Sequence, residues 1–511
     1  MIRIKTIWLG TTLSVASALA YWSCNTTGQK LNGEVLAKLH CSGCHVFPEP
    51  SLLDKKTWKE GVLPYMAPRL GLHFDDVDST MFQNYEEQQR IAELGVFPTK
   101  PVISEEEWQS IVNYYLEKAP ESLSRNVPAD TLQPLSGFRV RDMKSPVAAT
   151  VTSVRYDQFS RQVWVSQRPG GVFIFNNNLT VVDSLFNPES PFSDFRSMNG
   201  SSWELLSMGM MDPNDDSKGA LISIRKENGN WRGKRLIGGL QRPVQATYAD
   251  VNEDGREDVI ISEYGNYTGK LSLYAATEKD SLVQQIIENR PGARMTYWED
   301  YDGDGRKDLW VLWAQGDEQI SVYLYGGKRN FAKKVLLRFP PSYGSGYFEL
   351  VDFNKDGRLD ILYANGDNGD KSYTLKPYHG VRIFINKGKD KFEEEFFYPL
   401  DGATQAIARD FDQDGDLDIA AISFFPDFKL DPVRSFVYFE NRGDNSFTPR
   451  TFPDVNRGRW LTMEAADVDQ DGDLDLMLGS FYLAITPTPK VYLERWKTEN
   501  KGVIILENKL R

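Results

Sequence analysis

From about residue 150 to the C-terminus, apolar residues come in short runs separated by polar breaks. "VIISEY", "LWVLWA", "ILYANG", "IAAISFF" and "LMLGSF" are examples. Runs of this length between Gly, Asn and Asp clusters read as β-strands. A run such as "TYWED" or "FELVD" precedes each, and others follow, such as "KLSLYAA", "ISVYLYG", "VRIFINKG" and "SFVYFENRGDNSF". Four strands in about 50 residues make one propeller blade. Before residue 120 the period changes. Gly33–His40 reads as one helix. In a second, Trp108, Ile111, Val112, Tyr115 and Leu116 fall on one face, Ser104 and Glu107 form a capping box, and Pro120 ends the segment. The chain is therefore expected to be multidomain. A small all-α unit over 31–120 precedes a linker over 121–134 and an all-β seven-bladed β-propeller over 135–511.

The propeller half is a repeat. "DVNEDGRED" begins at Asp250, "DYDGDGRKD" at Asp300, "DFNKDGRLD" at Asp352, "DFDQDGDLD" at Asp410 and "DVDQDGDLD" at Asp467. Each copy puts Asp or Asn at positions 1, 3 and 5, Gly at 6 and Asp at 9. Hard oxygen ligands at alternate positions of a tight loop suit Ca²⁺. The candidate ligands are Asp250, Asn252, Asp254 and Asp258; Asp300, Asp302, Asp304 and Asp308; Asp352, Asn354, Asp356 and Asp360; Asp410, Asp412, Asp414 and Asp418; and Asp467, Asp469, Asp471 and Asp475. These are not EF-hands, because position 12 holds Ile261, Val311, Tyr363, Ala421 or Leu478 in place of Glu. Weaker copies are read at "VRYDQFSRQVWVSQ", near Asp157, and at "MDPNDDSKGALISI", which begins at Met211. Together they give seven units. "GVIILENKL" is expected to be the last strand of a unit, with "SGFRVR" at 136–141 closing the ring.

The formal charge of −13 argues against nucleic-acid binding. Five divalent cations would bring it to −3. The N-terminus reads as an export signal over 1–23: Arg3 and Lys5, an uncharged stretch from Ile7 to Trp22, and Ala18-Leu19-Ala20 as a cleavage site. Tyr21-Trp22-Ser23-Cys24 resembles a lipobox. That implies lipidation of Cys24, a tether over 24–30, and an anchored lipoprotein facing the periplasm or cell surface. The alternative is a secreted protein with one unpaired thiol.

"LHCSGCH" holds the other two cysteines, Cys41 and Cys44, followed by His45. Structural zinc needs a second ligand pair, and none is present. A thioredoxin-type dithiol wants a βαβ context and leaves His45 unexplained. The third chemistry is covalent haem c, with two thioethers and an adjacent imidazole. With its two helices, the segment over about 31–120 resembles a class I c-type cytochrome, which implies that Cys41 and Cys44 bind haem and His45 is the proximal ligand. Met66, beside Pro64 and Pro68, is the expected sixth ligand; Met81, His73 or an open position compete. The D-x-D-x-D-G-x-x-D loops resemble the FG-GAP/VCBS propellers of integrin α-subunits, which implies about five structural Ca²⁺. The combination suits a bacterial exported protein.

Three functions follow as expectations. The first is a haem c electron-transfer protein whose propeller docks a redox partner or a small-molecule or glycan substrate. The second is a periplasmic oxidoreductase with haem c as electron acceptor. The third is a surface adhesion protein. Whether the chain is an enzyme stays open. With four histidines no Ser-His-Asp set stands out, and no G-x-G-x-x-G is present. Arg242, Arg294 and Arg459, which precede metal loops, could ring an anion. Tyr343, Tyr347, Phe424, Phe425 and Trp460 could stack on a sugar. Scattered surface arginines and core aromatics are the plainer readings.

Overall fold

The computed structural model describes residues 32–509 apart from 74–80, 83, 144–146, 188–189, 280, 328, 370–372, 444 and 484–485. Seven sheets form the blades of a propeller, each with four antiparallel strands from the axis outward, which follow chain order in blades one to six. The inner strands of blades one to seven are Val151–Asp157, Phe192–Ser197, Pro243–Ala249, Ala293–Glu299, Ser345–Val351, Ala403–Arg409 and Trp460–Ala466. The second strands of blades three to seven, such as Asp308–Trp313 and Asp360–Asn365, are buried along their whole length. Pleating explains why continuous apolar runs are needed, since each face meets a different neighbouring blade. Leu309, Val311 and Trp313 pack with Val251 and Ile260 of blade three, whereas Trp310 and Leu312 pack with Phe348 and Ile361 of blade five.

The ring closes by mixing the two ends of the propeller sequence. Blade seven takes its outer strand from Phe138–Asp142, paired antiparallel with Val503–Asn508. "GVIILENKL" is thus the third strand and not the last one. Blade two corrects a second expectation. The run beginning at Met211 lies between the second strand, Ser202–Ser207, and the third, Gly219–Glu227. The place matching the metal loops is Met198–Ser201, "MNGS", which has no acid. The two sites are at opposite ends of the blade.

The inner strands are tied around the axis by a closed belt of polar contacts. Arg155 of blade one reaches Asp194 of blade two at 3.2 Å and Glu464 of blade seven at 3.2 Å. Asp194 accepts from Ala246 N of blade three at 3.3 Å. Gln245 Oε1 accepts from Thr296 N of blade four at 2.8 Å. Tyr297 donates to the Phe348 carbonyl of blade five at 3.1 Å. Glu349 accepts from Ala408 N at 2.9 Å and Arg409 at 2.6 Å in blade six. Gln405 exchanges two 2.9 Å bonds with Met463 of blade seven.

Residues 32–120 hold helices Gly33–Cys41, Tyr85–Glu93 and Glu105–Lys118, with irregular turns over Thr57–Leu70. The capping box forms in both directions, Ser104 N to Glu107 at 2.8 Å and Glu107 N to Ser104 Oγ at 3.2 Å. Leu36, Ala37, Trp58, Ile103, Trp108, Ile111 and Tyr115 share one apolar cluster. The helices are few and short, and the segment is not a free-standing domain. It is fastened to loops that join second to third strands, so it lies on the end of the propeller opposite the metal loops. Tyr267 donates to the Met81 carbonyl at 3.2 Å, and Tyr378 to that of Leu52 at 2.9 Å. Arg69 stacks over Phe97 and Tyr267. The 121–134 stretch is also pinned: Arg125 pairs with Asp401 and Asp427, and Gln133–Pro134 adds a parallel strand to blade six.

Candidate functional site

The five acidic loops share one backbone conformation. The first residue accepts a hydrogen bond from the Gly at position 6 in every loop, at 2.8–3.1 Å. Position 3 accepts from the N–H of position 5, and position 5 from that of position 7. The Gly has φ between 82° and 97°. A Cβ at Gly305 would meet nothing within 4 Å, so glycine is required there for its dihedral and not for space.

Carboxylate oxygens of Asp300, Asp302 and Asp304 converge within 4.8 Å, as do those of Asp410, Asp412 and Asp414, and of Asp467, Asp469 and Asp471. Two of these loops carry a further signal. Oδ1 of Asp410 and Oδ1 of Asp467 are buried with no hydrogen-bond partner among the described residues. A buried carboxylate oxygen without a partner is costly, and a cation in the cluster would remove that cost. The donor set, hard oxygens from alternate positions, fits Ca²⁺.

The ninth aspartates stand apart from these clusters. Asp258, Asp308, Asp360, Asp418 and Asp475 are buried and hold backbone N–H groups. Asp308 accepts from Tyr301 N at 3.1 Å and from Tyr325 N at 2.8 Å, which ties the loop to the third strand. The same pair of bonds recurs at Asp258, Asp360 and Asp475; Asp418 uses Asn441 N and the Tyr438 hydroxyl. Burial pushes Asp418 and Asp475 up to about 7. Each oxygen retains a second lone pair.

In the helical segment, Cys41 is half-buried and Cys44 exposed, both as free thiols. Burial holds the Cys41 thiol up at about 11. His45 Nδ1 lies 2.8 Å from the Val46 carbonyl. A carbonyl only accepts, so Nδ1 carries the proton and Nε2 is left with its lone pair. Tyr115 donates to the Pro48 carbonyl at 2.9 Å and packs against Trp58 and Phe47, fixing the chain just after the motif. Met66, at the end of the short helix Leu63–Met66, is exposed; Met81 is buried and His73 exposed. The export signal and Cys24 lie outside the described residues. Among the described residues no helix is long and apolar enough to cross a membrane.

The arginines and aromatics read as ligand candidates have other roles. Arg459 is fully buried, stacked on Phe424, and donates to the Phe424 carbonyl and to Thr486. Arg242 donates to the carbonyls of Met211 and Gly265. Met211 in turn packs on Phe424, Phe425 and Phe481 of blades six and seven. Arg294 donates to the Gly346 carbonyl, so all three arginines are engaged by main-chain carbonyls. Trp460 is core, Tyr343 stacks on Tyr378, and Tyr347 is half-buried against the apolar cluster of blades five and six. Sequence reasoning missed the blade-two loop 208–218, whose importance comes from contacts across the ring.

A family model for FG-GAP-like repeats matches residues 300–363, from the metal loop of blade four through that of blade five. The chain carries FG-GAP-like repeats. No curated protein matches it in sequence. Similar solved structures include the Pan2 WD40 domain of Neurospora crassa, at 10% identity over 74% of this chain and 98% of that one, with a TM-score of 0.44. The N-terminal domain of Nup159 is similar at 12% identity over 76% and 99%, with a TM-score of 0.42. The WD40 domain of SCAP from fission yeast is similar at 9% identity over 75% and 90%, with a TM-score of 0.37.

Proposed function

We propose that this chain is an exported electron-transfer protein. In this reading its calcium-stabilised propeller docks a redox partner or substrate beside a haem c held by the helical segment. The propeller with FG-GAP-like repeats is a binding or docking module. The observation that carries the haem reading is the His45 ring: the Val46 carbonyl holds Nδ1, leaving Nε2 as a metal ligand of fixed tautomer. When bound, haem c supplies one-electron transfer. Cys41 and Cys44 would hold it by thioethers, His45 and Met66 would be its protein ligands, and Tyr115 and Trp58 back the attachment loop. Ca²⁺ in the five loops would neutralise the acids that blades three to seven gather at one end. Lipidation at Cys24 would keep the molecule on a membrane facing the periplasm or cell surface.

The test is maturation in an exporting host, followed by visible spectra of the purified chain. Covalent haem is expected in the wild type and absent from Cys41→Ala/Cys44→Ala. A wild-type chain without haem would refute the reading. Dye reduction driven by sugars, alcohols or aldehydes would make the chain an oxidoreductase instead.

A further inference from the structure

Blade two differs from the other blades at its outer edge. Its third strand, Gly219–Glu227, and outer strand, Asn230–Leu240, form a hairpin carrying Arg225, Lys226, Arg232, Lys234 and Arg235, all exposed. The register places Arg232 directly opposite Arg225. Lys234, two residues on, shares their face of the pleat. Lys226 lies opposite Trp231, which puts it on the other face with Arg235. Like charges directly opposite across two strands destabilise the pairing.

Acids offset only two of the five cations. Arg225 pairs with Glu227 and Lys226 with Asp183, but Arg232, Lys234 and Arg235 have no carboxylate within salt-bridge distance among the described residues. Outer-strand cations elsewhere are neutralised. In blade four Lys333 pairs with Glu288 and Lys334 with Asp390; in blade seven Arg139 and Arg141 pair with Glu507. A localised, unneutralised basic edge on a chain of formal charge −13 is the anomaly.

We infer that this hairpin is a docking surface for anionic lipid headgroups. Three observations choose that occupant. The edge is an open hairpin, suited to a surface more than to a small molecule. The Debye length is about 8–10 Å, so acids elsewhere on the chain do not cancel the patch at contact. From Cys24 to Asn32 is eight residues, a reach of at most about 30 Å. An anchor at Cys24 therefore keeps the folded body close to the bilayer, where a basic edge orients it. The geometry rests on the proposed lipid anchor, but binding by the patch does not.

The experiment uses the full chain with Cys24→Ser, so that no lipid contributes, and vesicles of phosphatidylcholine with or without one-third phosphatidylglycerol. The expected result is co-sedimentation with the anionic vesicles only, weakening as salt rises. Each basic residue at an anionic surface contributes about 1 kcal/mol, a factor of about five. Arg232→Gln/Lys234→Gln/Arg235→Gln should thus bind roughly a hundredfold more weakly, with an unchanged melting temperature showing that it is folded. Equal binding by the triple variant would overturn the inference. So would no binding by the parent chain, or binding to a soluble acidic polymer without binding to vesicles. The mass of the mature N-terminal peptide of the wild type reads lipidation separately. An unlipidated peptide with patch binding intact would refute the anchor and leave the surface standing.

Discussion

Asp215 joins the helical segment, blade two and blade three at one residue. It is completely buried and accepts from Asn266 N at 3.0 Å, Tyr267 N at 3.0 Å, Thr268 N at 2.8 Å and Thr268 Oγ1 at 3.0 Å. Its own N–H donates to Glu87 of the helix Tyr85–Glu93 at 2.9 Å. Asp215→Ala removes all four acceptor contacts and leaves the N–H groups of Tyr267 and Thr268 searching for partners, while Asn266 N keeps the Thr268 carbonyl at 3.0 Å. Hydrogen bonds to a charged group contribute about 1.5–3 kcal/mol each; water entering the vacated space recovers part of that, so a net loss of about 4 kcal/mol is expected. Asp215→Asn keeps an oxygen for the three donors on Oδ1 but turns an NH₂ toward Tyr267 N, for a loss of about 2 kcal/mol. Native-state hydrogen exchange reads this locally. Amides of residues 266–268 and 85–93 should exchange about a thousandfold faster in the alanine variant and roughly thirtyfold faster in the asparagine variant, at about 1.4 kcal/mol per decade. The strand Gly380–Asn386 of blade five should be unaffected. Exchange within a factor of two of wild type over 266–268 would refute the role assigned to Asp215.

Chelation should lower the melting temperature. A loop saturated at a hundred times its dissociation constant contributes about 2.7 kcal/mol. In blades three to five the fifth-position acid pairs with Arg256, Arg306 or Arg358, whereas blades six and seven put Asp416 and Asp473 at that seventh position. Calcium titration should therefore show two ions leaving last, and Asp416→Arg should weaken one of them about tenfold; a melt unchanged by excess chelator refutes the metal reading. His379 is buried near Lys376 and Arg382, its Nε2 is without a partner among the described residues, and burial holds its ring well below the usual histidine range. It stays neutral when folded and charges when unfolded, so its stabilisation is complete above about pH 6.5 and lost as pH falls below that. His379→Gln should flatten stability between pH 6.5 and 5, measured by urea unfolding; an unchanged slope refutes it.

The blade strands and metal loops were legible because both are local. The run "DLWVLW" needs only its own composition to read as a strand, and "DYDGDGRKD" carries its turn and its donors within nine residues. Blade two misled because "MDPNDDSKG" has loop-like composition without loop-like function: its acids pair with Arg168 and clasp residues 266–268, contacts no local pattern encodes. The ninth aspartates read as ligands by spacing, and only the third strand's N–H groups show their second task. Arg459 looks like a surface cation in sequence because nothing nearby announces Phe424, 35 residues away. The short helices over 57–70 and 85–93 lack a long apolar period, and tertiary packing on the propeller decides them.

The pairing of Phe138–Asp142 with Val503–Asn508 has a consequence for how the molecule is made. The outer strand of blade seven emerges before any blade but cannot be hydrogen-bonded until the third strand, some 360 residues later, has followed it. The entropy of closing so long a loop grows only slowly with length, but such non-local contacts form late and slow folding. Through synthesis, a short strand with two arginines is left waiting at the front of a growing row of blades. Every nascent chain is an open arc with two sheet edges until its last residues arrive, and a truncated one stays so. Arg139 and Arg141, whose shared partner Glu507 arrives last, place charge on that waiting strand, the kind of edge protection that discourages pairing with a neighbouring nascent chain.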